Sequence, residues 1–460
     1  MRARSGRLYA AFVPQLNKLR TTLPGEFGGD IAAPSPARLR TALTVFFALD
    51  GFVFAGWVVR IPAVKHQTGA SASTLGLALL GVSAGAVITM MLTGRLCRRF
   101  GGHAVTVVCA VLLSLSICLP AQTRSVPALG LVLLLFGAAY GGMNVAMNSV
   151  AVDLVAALRR PVMPSFHAAF SFGGMAGAGL GGLVAGSLSP ATHLFGLAGT
   201  GLLVTACAGP VLLRNRRASE PPATPTGPRT RPGAVAAPGP VAETGSVAAP
   251  GSVAETAGSV SGAGSASGPA HRMSGATRRI VILFGVIALC TAYGEGALAE
   301  WGALHLAEDL HAGAGPAAAG YSLFALTMAI GRLGGTALLE RHGQTRTLVA
   351  GGATAAVGML FGALAPTVWL ALSGFALAGL GLANIFPVAV GRAGALAGPS
   401  GVAAASTLGY GGMLVGPPVI GFLADRLSLP MALTTVTLLA SIAAVLGYAA
   451  RGTTRAPAVE

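Results

Sequence analysis

Runs of about twenty apolar residues recur along the chain, separated by short polar turns, and nothing else in the sequence restricts its fold so strongly. The stretch IVILFGVIALC at 280–290 contains no charge at all. At ~1.5 Å per residue, a helix of roughly twenty residues crosses a hydrocarbon layer about 30 Å thick. An unpartnered backbone polar group in lipid costs several kcal/mol, so such runs are helical. Charged residues are only 10% of the chain, against about 25% in soluble domains. The predicted fold is an all-α polytopic membrane protein.

Twelve spans are expected. The first six cover 41–61, 74–94, 104–121, 126–152, 163–188 and 192–213. The second six cover 280–299, 317–339, 347–365, 368–390, 402–424 and 431–450. Sixty-seven glycines fit this reading, because glycine is tolerated in bilayer helices and lets their backbones approach closely.

A net charge of +16 invites comparison with nucleic-acid-binding proteins, but the placement of the charge excludes that class. Of the 30 basic residues, all but Arg60, Lys65, Arg124 and Arg426 fall on one side, in the tails, in every second loop or, for Arg332, near the same-side end of span 8. This one-sided distribution follows the positive-inside rule and places both termini in the cytosol of a cell-membrane protein. The five cysteines show no paired spacing, and the expectation for them is small buried hydrophobes.

The two halves echo each other. FGGM at 172–175 returns as YGGM at 410–413, GGMN at 141–144 as GLAN at 381–384, and GRLCRRFG at 94–101 as TALLERHG at 336–343. Each return lies about 240 residues on, which indicates a duplicated unit. Six spans per unit, an even number, make the repeats parallel, the layout of an alternating-access carrier with its site between the halves. The expected organisation is an N-terminal tail at 1–38, bundles at 39–213 and 278–451, a linker at 214–277 and a C-terminal tail at 452–460. The linker is rich in Pro, Gly, Ala and Ser, so it lacks the apolar side chains for a core and reads as a disordered cytosolic tether.

From about residue 39 to 451, the linker excluded, the chain resembles the major facilitator superfamily. The resemblance rests first on the loop motif of that family, roughly G-x-L-x-D-R-x-G, seen as GRLCRRFG and again in the second half. It is closer to a subgroup of bacterial sugar-permease-like members through WVVRIPAVK, AMNSVAV, RRPVMPSFHAAFSFGG, GEGALAEWGALHL and GYGGMLVGPPVIG. The resemblance implies that Gly94, Arg98, Arg99 and Gly101, with Glu340, Arg341 and Gly343, form conformational loops. Arg98 stands where the motif has an acid, whereas Glu340 keeps one. GMAGAGLGG in span 5 has the glycine spacing of the antiporter motif, with Ala178 in place of its proline.

The resemblance also implies a cavity lined by spans 1, 4, 7 and 10. Each carries polar groups in apolar surroundings: Asp50, Asn144 with Asn148, Glu295, and Asn384. A charge in hydrocarbon is costly and is expected to face the bundle interior or water. Asp50 lies ten residues past Arg40, near mid-layer, where desolvation disfavours its ionised form and suits it to proton exchange. Counted from Arg279, Glu295 lies about 24 Å in and Glu300 about 31 Å in. Glu300 is thus expected at the outer interface beside Trp301, an anchoring residue type, while Glu295 either serves the cavity or pairs with a structural partner such as Arg60. The asparagines offer donor and acceptor together, which suits hydroxyl-bearing or zwitterionic solutes. His167 reads as a proton relay or a packing residue, Arg332 as snorkelling to the cytosolic interface, and Pro387, Pro417 and Pro418 as hinges.

No enzyme, cofactor or metal signature is present in the sequence. The expected activity is secondary active transport of a small polar organic solute such as a sugar or metabolite, by proton symport. Export of amphipathic compounds, or sensing on a carrier fold, are the alternatives. The expected partners are the solute, protons and the lipid bilayer, with the chain acting as a monomer and binding no nucleic acid.

Overall fold

The structure is a computed structural model in which residues 35–158, 162–218 and 274–451 are described. Twelve helices among them are long and apolar enough to cross a membrane. Spans 1 to 6 are Pro36–Val58, Ala72–Phe100, Gly102–Gln122, Val126–Leu158, Ser165–Ala185 and Pro190–Arg214. Spans 7 to 12 are Gly275–Glu308, Ala314–Leu333, Gly335–Leu364, Val368–Gly398, Ser400–Arg426 and Leu429–Ala449. Every expected span is present, and many run longer than the apolar runs alone indicated. The linker and tail expectations fall mostly outside the described residues, although helix begins already at Pro36, continues to Ala218 and restarts at Gly275.

The halves repeat in space as they do in sequence. In the first, span 1 packs on spans 5 and 6, span 4 on spans 2 and 3, and span 3 on span 6. In the second, span 7 packs on spans 11 and 12, span 10 on spans 8 and 9, and span 9 on span 12. Local geometry repeats too. Gly101 and Gly343, equivalent in the loop motif, both turn at positive φ, 80° and 73°. That conformation is costly for residues bearing a Cβ. A Cβ on Gly173 would strike the Ala48 carbonyl, and one on Gly412 would strike that of Leu289, so spans 1 and 5, like 7 and 11, touch backbone to backbone.

Between the halves, span 2 lies against span 11 and span 5 against span 8. These two seams exchange when the repeats are swapped, so the halves face each other with approximate twofold symmetry. With an even number of spans in each half, the start of span 1 and the end of span 12 share one face, called here the terminal face. The loops after spans 1, 7 and 11 lie on the opposite face.

Candidate functional site

A cavity of about 190 Å³ lies between the halves. Its walls come from spans 1, 2, 4 and 5 on one side and from spans 7, 8 and 11 on the other. The expected set of spans 1, 4, 7 and 10 is thus corrected: the seam helices 2, 5, 8 and 11 contribute, and span 10 does not. Most of the wall is aromatic, methionine or small, with polar groups at a few points.

The most polar point is an ion pair. An Arg332 Nη2 donates to the Glu295 carboxylate at 3.4 and 3.5 Å, and both residues line the cavity. Glu295 therefore pairs with Arg332 and not with Arg60, and Arg332 does not snorkel to the terminal interface. The reason is geometric. Helix side chains lean toward their own N-terminus. Span 8 begins at the opposite face, so Arg332, one residue from its terminal-face end, leans back into the layer.

Proline chemistry holds the arginine there. Pro387 has no N–H for the carbonyl of Ala383, and that carbonyl accepts from Arg332 Nε at 3.4 Å. The helix of span 10 is broken at Ala383 and Asn384, as expected of a proline hinge. Asn384 closes the same junction by donating to the Gly331 carbonyl at 2.9 Å, with its Oδ1 packed over Gly335. It is buried against span 8 and does not reach the cavity. Pro417 also leaves a carbonyl free, that of Met413, which accepts from Ser83 of the other half at 3.3 Å, but span 11 stays helical through Pro417 and Pro418 and is not hinged there.

The remaining expected residues divide by depth. Asn144, His167 and Glu300 line the cavity. His167 meets the Phe47 ring edge-on at 5.2 Å. Glu300 is only 7% exposed and its Oε2 has no hydrogen bond, so it is not at the outer interface. Span 7 runs two further turns, to Glu308, and neighbouring helices cover this stretch, which a depth count along an isolated helix does not include. Trp301 is likewise fully buried and anchors nothing at an interface. Asp50 is 0% exposed and sealed from the cavity; the Asn144 amide approaches it, yet neither carboxyl oxygen has a fully formed hydrogen bond. Asn148 is buried and donates to Asn144 O at 2.8 Å and Oδ1 at 3.3 Å, so span 4 orients Asn144 itself. Arg60 donates from Nε to His193 Nδ1 at 2.8 Å within the first half, and burial lowers its pKa below the usual arginine value.

At the opposite face the halves are latched. Lys65 Nζ contacts both Glu308 oxygens, at 2.5 and 2.7 Å. Asp425, at the end of span 11, accepts from Ser71 Oγ and from the backbone N–H groups of Ala72 and Ser73, each at 2.9 Å. It thereby caps the start of span 2 from the other half, where an anion is favoured. Small residues tighten the seams: Gly76 abuts the Pro417 carbonyl, Gly421 that of Ala72, and Gly182 the Ala318 side chain. In the cavity wall, Phe54 of span 1 meets Tyr140 at 5.1 Å and Tyr321 of span 8 at 6.4 Å between ring centroids, which joins the halves there.

The sequence profile of the Major Facilitator Superfamily matches residues 41–253 and 284–460. The chain belongs to the Major Facilitator Superfamily. It is 31% identical over 408 residues to "Uncharacterized transporter y4wD" of Sinorhizobium fredii, covering 87% of this chain and 95% of that protein. Similarity extends to an uncharacterized MFS-type transporter of Yersinia pestis, 28% identical over 87% of this chain and 92% of the relative. "Membrane protein MosC" of Rhizobium meliloti is also 28% identical, over 88% of each. Among solved structures, the nucleoside transporter NupG superposes with a TM-score of 0.63 at 14% identity, over 91% of this chain and 99% of that one. A bacterial homologue of the human lysosomal transporter Spinster, inward-facing and occupied, gives 0.66 at 13% identity, over 92% of this chain and 99% of that one. At such identities the likeness concerns the fold alone. The protein is a multi-pass membrane transporter of this superfamily.

The superfamily loop motif is visible at the terminal face. Arg98, Arg99, Glu340 and Arg341 lie there, and Arg99 is 5.3 Å from the Phe100 ring. Gly94 is half-buried, and Gly101 and Gly343 make the turns that follow. Sequence reasoning missed Tyr140, Tyr321 and Tyr410 as cavity residues. A tyrosine in an apolar run differs little from a packing aromatic, so only position marks them. For Arg332 a signal does exist in the sequence, since the lean of span 8 points it inward.

Proposed function

We propose that this transporter moves a small polar organic solute by alternating access in the cell membrane, driven by protons in symport. Both termini lie in the cytosol, and the chain acts as a monomer. The observation carrying this reading is the Glu295–Arg332 pair in a cavity between two duplicated halves, which the Lys65–Glu308 and Asp425 contacts latch together at the opposite face. A carboxylate and a guanidinium side by side, with Asn144 and tyrosines nearby, supply charged, donor and acceptor groups to a hydroxylated or zwitterionic solute. With cytosolic termini, the latched face is the outer one, and the described conformation is closed to the outside.

Proton coupling has two carriers in this reading. Glu295 exchanges Arg332 for a proton or for solute, and Asp50, sealed here, becomes accessible when the halves rock. A second reading, export of amphipathic compounds, is favoured by the methionine-rich wall formed by Met90, Met147, Met328 and Met413. The test is a thermal-stability screen of purified protein against sugars, amino acids, organic acids and drugs. The hit is then followed into proteoliposomes under an imposed pH gradient. Uptake that rises with an inward proton gradient and is lost in Glu295→Gln supports symport. Gradient-independent uptake, or full coupling in that variant, refutes it.

A further inference from the structure

We propose that a second, basic cavity, at the terminal face between spans 9, 10 and 12, binds the phosphate headgroup of an anionic membrane lipid. It has a volume of about 880 Å³ and is lined by His342, Arg346, Arg392 and Arg451 together with Tyr448, and no acidic residue is among its described wall residues. The Arg451 guanidinium lies over the Tyr448 ring at 3.8 Å, which fixes a cation at the rim. The helix of span 9 breaks at Gly343 and restarts, so its first new turn also presents backbone N–H groups beside these cations.

Two observations separate this cavity from the general scaffold and from the transport site. None of its wall residues lines the central cavity. The first half, moreover, does not repeat it. In the loop-motif alignment His342 and Arg346 fall on Phe100 and Ala104, and in that half the neighbouring His103 acts on a carboxylate, Asp153. Duplication of the bundle therefore accounts for the helices but not for the charge.

A lipid, and not a dissolved anion, fits the position. The cationic groups sit where spans 9, 10 and 12 reach the terminal face, at headgroup level. From there Val349, Ala350 and Ala353 carry the wall along span 9 into the layer, Ala350 and Ala353 being exposed on the outside of the bundle. Phosphate oxygens meet the arginines, and acyl chains follow the apolar strip.

The test is native mass spectrometry of the full-length protein titrated with phosphatidylglycerol or with phosphatidylcholine of the same acyl chains. The parent is expected to retain phosphatidylglycerol preferentially. Arg346→Ala and Arg451→Ala each weaken it roughly fivefold, from about 1 kcal/mol per basic residue, and about 25-fold together. Both side chains are exposed, so neither change empties the core. Arg98→Ala, equally basic on the same face but outside the cavity, is expected to leave retention unchanged. The inference is overturned if the two lipids bind alike, if Arg98→Ala weakens binding as much, or if inorganic phosphate displaces the lipid at millimolar concentration.

Discussion

Releasing the latch at the opposite face should open the carrier there by a calculable amount. Lys65 and Glu308 are 17% and 28% exposed, so their pair is partly shielded from solvent, and about 1 kcal/mol is a fair contribution. Asp425 accepts three hydrogen bonds from the start of span 2 but sits near solvent, which reduces its contribution to about 1 kcal/mol as well. Each contact joins the halves, so removing it favours the state in which the halves part there. Lys65→Ala or Asp425→Ala should each raise the open-to-closed ratio roughly fivefold. The contacts share no partner, so their effects add and the double variant should reach about 25-fold. The assay is pulsed electron spin resonance between labels at Ser125 and Thr367, exposed opposite-face positions in different halves, after replacement of the five native cysteines. A longer distance should grow in the stated proportions. A distribution in the double variant indistinguishable from the parent would refute the assignment of these contacts as a latch.

Other residues give separate tests. Arg332→Met leaves Glu295 in the cavity without its cation and should lower stability by about 3 kcal/mol in thermal unfolding, with most of it restored by adding Glu295→Gln. Transport should stay lost in both variants; a single variant as stable as the parent would mean the pair is not coupled. Asp50→Asn preserves shape and removes a buried ionisable group, so stability should stay within about 1 kcal/mol while proton-driven uptake disappears. A large loss of stability with coupling retained would make Asp50 a packing residue. Pro387→Ala returns an N–H to the Ala383 carbonyl, in competition with Arg332 Nε. The KM for solute should rise as the arginine loosens, and an unchanged KM would show that the hinge does not position it.

The fold is legible because its signals are linear: apolar length, charge side and a repeat about 240 residues apart each survive without three-dimensional information. The site is legible only in part. Glu295, Asn144 and His167 stand out as polar groups in apolar runs, and the structure brings all three to the cavity. Glu300 and Trp301 differ from expectation because a depth count treats a helix as standing alone in lipid, whereas span 7 is covered by its neighbours well past mid-layer. Arg332 differs because a count of residues from the helix end leaves out the tilt of its Cβ toward the start of span 8, which turns the side chain back into the layer. Asn384 was expected in the cavity as the repeat partner of Asn144, but duplicated positions need not keep the same neighbours, and here it bonds span 8.

The central claim is that one cavity serves both sides of the membrane in turn. A single cysteine at Ser171, on the cavity wall, tests it with a membrane-impermeant thiol reagent applied separately to each face. Labelling is expected from the terminal face in the parent background, and from the opposite face once Lys65 and Asp425 are replaced. Reaction from one face only in both backgrounds would contradict the account.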